Sequence, residues 1–155
     1  MTSLRRADLI GRRRLSENYF FRDFLHSEVA AVFGLCNLPN DVELAVEAGS
    51  KLCAELLEPL QKKFGRIHIR SAFRSCEVNA FCNAKKLGCA RNEANYADHI
   101  WDRRDAAGRM GATACIIVPR FADLFANQGD WTELAWWIHD SLPYHTLYFF
   151  PKLWA

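Results

Sequence analysis

The sequence has six cysteines, Cys36, Cys53, Cys76, Cys82, Cys89 and Cys115, yet no Cys-x-x-Cys pair. That absence excludes a structural zinc ribbon and a thioredoxin-like motif. Long apolar runs are missing too. Residues 5–14 are dominated by arginine and lack the ~7–15 residue apolar stretch of a secretory signal, and no run approaches the ~20 apolar residues of a membrane span. The expectation is a chain made in the cytosol, cytoplasmic as synthesised, with no membrane span and with its cysteines mostly reduced and buried as small hydrophobes. An excess of one charge is also lacking. Twenty basic against 18 acidic side chains leave a net charge of +2, which gives no reason to expect a nucleic acid partner. Neither an internal repeat nor a linker interrupts the chain.

What is present suits one globular domain. A chain of 155 residues can bury about two-thirds of its unfolded surface, and 50% hydrophobic with 25% charged residues is an ordinary globular composition. Arg5, Arg6, Arg12, Arg13 and Arg14 crowd the start. Residues 1–15 are therefore expected as a solvated basic tail, and residues 16–155 as the single domain.

The periodicity predicts mixed structure. Asn40 suits an N-cap with Glu43 three residues on, and Ala45, Ala48, Leu52, Leu56, Leu60 and Phe64 follow as one apolar stripe ended by Gly65. Pro59 is out of place in that helix and should kink its last turn. Residues 66–70 alternate polar and apolar, as a strand does, with Ile67 and Ile69 facing the core. A helix is expected from Ser75 to about Lys86, and a long polar loop from Arg91 to Met110. Residues 114–118 read as a second strand and residues 120–126 as a short helix. A helix capped by Asp130 should then turn Trp131, Leu134, Trp137 and Ile138 inward, and residues 146–150 read as a third strand. Together these elements predict an α+β domain with a small antiparallel sheet packed against helices.

Between the first strand and its helix stands Ser71-Ala72-Phe73-Arg74-Ser75, followed by Val78 and Asn79; downstream come His99 and the run Gly111-Ala112-Thr113-Ala114-Cys115. In that order the pieces resemble the zinc D-alanyl-D-alanine carboxypeptidases of the hedgehog-type fold, enzymes that cut bacterial wall peptides. The family's pattern Ser-Gly-Tyr-Arg-Ser is met at both serines and at the arginine. The resemblance implies that Arg74 clamps the carboxylate or a carbonyl of a peptidoglycan stem peptide and that Ser71 adds a hydrogen bond. A planar guanidinium does this better than the point charge of lysine.

The zinc ligands fit less completely. The family takes two from His-x-x-Gly-x-Ala-x-Asp, and here cysteine stands at the aspartate position. His99 lies sixteen residues before Cys115, more than the pattern allows, so an insertion containing Trp101, Asp102 and Asp105 separates them. The resemblance implies His99 and Cys115 as zinc donors, with Asp102 or Asp105 as a replacement carboxylate. A thiolate binds zinc at ~2.3 Å but donates more charge than a carboxylate, which blunts Lewis acidity. The family's third ligand, in a Trp-x-His element, and its catalytic base have no counterpart. The expectation is thus a zinc peptidase of the D-Ala-D-Ala carboxypeptidase or endolysin type, impaired in this chain, reaching the wall only through a separate export or lysis route. The alternative is a catalytically inactive binding or structural module of a phage or cell-envelope assembly.

Overall fold

The computed structural model describes residues 3–127 and 129–150. Its first element corrects the expectation of a solvated tail. Helix α1, Ser3–Gly11, buries Ile10 and is followed by buried Leu15. Two arginines of this N-terminal segment bond within the chain: Arg6 donates to Pro39 O at 2.8 Å, and Arg13, just beyond the helix, forks onto both carboxylate oxygens of Glu43 at 2.7 and 2.8 Å. A guanidinium with five fixed donors suits such tethering. The following turn is tied down by Glu58, whose oxygens accept from Ser16 Oγ and from the Asn18 backbone and amide.

A 3₁₀ turn at Phe21–Phe24 sends both phenylalanines into the core. Helix α2, Glu28–Phe33, is capped by Ser27 and ends at Gly34 in the left-handed region. Helix α3, Val42–Leu52, starts one residue later than the sequence suggests. Asp41 is its cap, through Leu44 N, because the Asn40 N–H is held elsewhere, by Asp102 Oδ2 at 2.7 Å.

The long helix then accommodates Pro59, the residue expected to kink it, by a local widening. Over Cys53–Leu57 the helix widens into a π turn, with the Glu58 N–H reaching back to Cys53 O. This extra residue shifts the register so that Pro59 falls in the first turn of α4, Glu58–Phe64. There a missing N–H costs little, and a proline inside a regular helix would cost ~3 kcal/mol.

Strand β1, His68–Ser71, pairs antiparallel with β2, Cys115–Ile117, and Ser71 lies opposite Cys115. Helix α5, Cys76–Ala84, and the short α6, Asn92–Asn95, lie between them in sequence. Helices α7, Pro119–Ala126, and α8, Thr132–Ser141, follow β2. The fold is α+β. Residues 146–150, expected as a third strand, alternate in burial but join no ladder among the described residues; Leu147 and Phe149 pack on the core, and Phe149 lies 5.1 Å from the Trp131 ring. No helix of the described residues is long and apolar enough to cross a membrane.

The segment read as a polar loop supplies the centre of the core. Ile100 and Trp101 are wholly buried, and the Trp101 ring meets Phe24 at 5.4 Å, Phe21 at 5.9 Å and Phe73 at 6.0 Å. Gly49 of α3 makes room for it, since a Cβ there would lie 2.8 Å from Trp101 Cζ3 and 3.1 Å from Leu15 Cδ1.

Gly49→Ala tests this packing. Alanine in a helix interior gains up to ~1 kcal/mol over glycine, whereas overpacking a core costs ~1–3 kcal/mol. The expected net result is a loss of about 1 kcal/mol, read as a lower urea midpoint at unchanged m value. A midpoint equal to or above the parent's would show that the indole does not press on α3.

Candidate functional site

Arg74 stands between the end of β1 and the start of α5, and both sides fix it. Ser75, the second serine of the motif, is the helix cap: its Oγ accepts from Val78 N at 3.2 Å and donates to Cys36 O at 3.1 Å. The Ser75 N–H in turn donates to Asn37 Oδ1 at 2.8 Å, while Asn37 Nδ2 donates to Leu25 O and Phe73 O. Asn37 therefore holds the motif from behind. Nothing in the sequence around it signals that role, because only the folded chain brings Leu25, Phe73 and Ser75 to one amide.

The other anchor is the turn carrying His99. The Arg74 N–H donates to His99 O at 2.8 Å, and His99 Nδ1 lies 2.8 Å from Ala72 O. A carbonyl can only accept, so Nδ1 carries the hydrogen and Nε2 keeps its lone pair. Metal-ligating histidines are oriented by the same kind of bond. Burial, and next the charge of Arg74, hold the imidazole below its ordinary pKa; the Ala72 bond and Asp98 oppose them. The ring thus stays neutral with Nε2 available.

Asn79, matched to the resembling family and wholly buried, is a strut rather than a contact for ligands. Its Nδ2 donates to Ala90 O at 3.0 Å and to Asn92 Oδ1 at 2.9 Å, and Asn95 Nδ2 also reaches Ala90 O. The approach to His99 is then closed by Ile100 N on Asn95 O and by Thr113 N on Asp98 O. Gly111 allows that closure, since a Cβ there would sit 2.2 Å from Ala97 O.

The remaining expected residues divide. Ser71, half-buried opposite Cys115 next to a register irregularity, makes no hydrogen bond through its hydroxyl among the described residues. Cys115 and Asp98 lie close enough for their charges to act on Arg74, raising its pKa against the larger lowering by burial. Asp102 has one oxygen engaged. It is 1% exposed, its Oδ2 accepts from Asn40 N ahead of α3, and its Oδ1 is buried with no hydrogen-bond partner among the described residues. Asp105 likewise closes its own turn on Arg109.

One pair of cysteines departs from the expectation of mostly reduced thiols. Cys82 and Cys89 form a disulfide, while Cys36, Cys53, Cys76 and Cys115 are free. The bridge closes the turn after α5, and Arg74 Nη1 donates to Cys89 Sγ. A spacing of seven residues was the only signal, and it reads equally as one helix face.

Set against known proteins, the chain matches no family model, no curated protein and no solved structure. The site supplies a half-buried guanidinium, a hydroxyl with no hydrogen bond among the described residues, an oriented neutral imidazole and a strand thiol, on segments joined by backbone bonds. Among the described residues no three His, Cys, Asp or Glu side chains are placed to hold one metal ion.

The depressed pKa of His99 sets a pH dependence. In the unfolded chain the group protonates near 6.5; in the folded chain it does so lower, so between the two values the unfolded state binds more protons. Its contribution is present above about pH 6.5 and is lost as pH falls, by no more than ~1.4 kcal/mol per unit. Urea midpoints for the parent and His99→Gln across this range should differ in slope, the variant being flatter. Parallel curves would place His99 in solvent.

Proposed function

We propose that the chain is a domain of the D-alanyl-D-alanine carboxypeptidase type that binds the carboxylate end of a peptidoglycan stem peptide and hydrolyses it poorly or not at all. The observation that carries this reading is the reciprocal bonding of the Arg74 segment and the His99 turn. It ties an anion-binding side chain to an imidazole whose free nitrogen is a possible metal donor, in the order the family resemblance implies. Arg74 then orients the peptide carboxylate by paired charge-assisted hydrogen bonds. Ser71 adds its hydroxyl, the α5 cap fixes the backbone next to Arg74, and the guanidinium itself rests on Cys89 Sγ.

Zinc is the metal the resemblance implies, and it would polarise the scissile carbonyl and activate water. The residues fit it only in part. His99 Nε2 and Cys115 Sγ suit it chemically, yet a catalytic site takes three protein ligands, and among the described residues no three His, Cys, Asp or Glu side chains are grouped to hold one ion. The incomplete donor set favours the inactive binding module of a phage or cell-envelope assembly over the peptidase.

Titration calorimetry with diacetyl-Lys-D-Ala-D-Ala as free acid and as C-terminal amide tests the clamp. The acid should bind and the amide should bind about tenfold more weakly, with Arg74→Lys losing roughly 1 kcal/mol, about fivefold, on the acid alone. Equal affinity for acid and amide would remove Arg74 as the anchor. Metal analysis of the purified chain separates the two forms of the proposal: a stoichiometric, zinc-dependent release of D-alanine would restore the peptidase.

A further inference from the structure

The bridge between Cys82 and Cys89 touches the residue on which the proposed function rests. Cys82 lies in α5 and is 2% exposed, whereas Cys89 is half-exposed on the turn beyond it. That turn reverses through Lys86 and Gly88, both with positive φ. Of the two cysteines Cys89 is thus the less buried, and it is the one an incoming thiolate is expected to attack. Arg74 Nη1 faces the same sulfur. A neutral disulfide is a weak acceptor that gains little from a guanidinium, but a thiolate in its place would be strongly favoured beside that charge.

We propose that Cys82–Cys89 is a redox-active disulfide, reducible by dithiols, whose reduced form carries a Cys89 thiolate paired with Arg74 and so switches the clamp off. The reaction proceeds in two exchanges. One thiolate of the dithiol attacks Cys89 Sγ; the protein S–S bond breaks, a mixed disulfide forms at Cys89, and Cys82 leaves as a thiolate and takes a proton. The second thiolate of the reductant attacks its own sulfur in the mixed disulfide, releasing Cys89 as a thiolate against Arg74. The dithiol is oxidised to a cyclic disulfide and gives up two electrons and two protons, one to Cys82 and one to solvent. A well-stabilised leaving thiolate speeds the second exchange.

The surrounding charges support this assignment. Lys85 and Lys86 stand on the same turn and Arg91 two residues on, all cationic like Arg74. Asp98 and Cys115 act on Arg74 from their own segments and moderate its field. Reduction stays local, because the chain around the bridge has other ties: Asn83 Nδ2 holds Cys89 O, and Asn79 and Asn95 hold Ala90 O. The sulfur gains freedom while the backbone beneath it is retained. With the bridge formed, Arg74 offers its charge to a carboxylate ligand; with the bridge reduced, Cys89 competes for it. By linkage, such a ligand must in turn make the bridge harder to reduce.

The consequence for ligands rests on the clamp reading, but the thiolate does not, and the experiment separates them. In Cys82→Ser, where Cys89 stays reduced, iodoacetamide labelling is followed by peptide mapping across pH, with the exposed Cys36 as reference inside the same molecule. The Cys89 profile should have its midpoint at least about one unit below that of Cys36, and adding Arg74→Gln should abolish the difference. In dithiothreitol redox buffers the Arg74→Gln bridge should be about tenfold harder to reduce than the parent's, about 30 mV in potential. A Cys89 midpoint at or above that of Cys36 overturns the switch; this arm needs no change at Arg74 and holds even where Arg74→Gln fails to fold. Diacetyl-Lys-D-Ala-D-Ala should bind the oxidised chain about tenfold more tightly than the reduced one. Binding to neither form, beside a lowered Cys89 midpoint, overturns the peptide reading alone.

Discussion

The burial of one indole organises this molecule. Trp101 has no exposed surface, and around it meet Phe21 and Phe24 from the N-terminal segment, Phe73 from the arginine motif and Gly49 from α3. Truncating such a residue to alanine costs ~3–5 kcal/mol in a packed core, a large share of the stability of a domain this size. The neighbours of Trp101 in sequence inherit its position. Asp102 is carried to the start of α3, where it holds the Asn40 N–H, and His99 is carried to the backbone of Arg74. The tertiary contact thus places the candidate site, although the indole takes no part in it.

Around this anchor the site is built from amides rather than from regular sheet. Two paired strands are marginal on their own, so β1 and β2 cannot by themselves hold Ser71, Arg74 and Cys115 in register. Asn37 supports the motif at its back, and Asn79 and Asn95 brace the turn leading to His99. Buried amides of this kind are costly when unpaired and stabilising when satisfied. They convert an irregular segment into a rigid one, which is the condition for a guanidinium to meet a ligand without reorganising.

Much was legible from local pattern. The apolar stripe of α3 and α4 was readable from its spacing of three and four, as were the alternation before Arg74, the apolar β2, and the inward face of α8 with Leu134 and Ile138 buried. Each of these follows from side-chain periodicity, a property of the chain within a single element. The helix after Arg74 was legible in the same way, whereas the capping role of Ser75 came from the structure.

What the sequence by itself determined is therefore the α+β composition, the helix after Arg74 and the residue types available for chemistry. The tertiary structure decided the rest, through contacts between residues far apart in the chain. Residues 91–110 look polar and irregular, yet their one tryptophan is the centre of the core, because Gly49, 52 positions earlier, leaves a space its shape fills. Asp102 offers the same carboxylate on paper as any candidate ligand, and only the tertiary structure brings one of its oxygens to Asn40 N. Residues 146–150 carry a strand-like alternation, but a strand needs a partner, and among the described residues the backbone that could supply one lies elsewhere. The pairing of Cys82 with Cys89 and the contact of that sulfur with Arg74 were equally undetermined, since six cysteines admit many pairings and only the turn after α5 brings these two together beside the guanidinium.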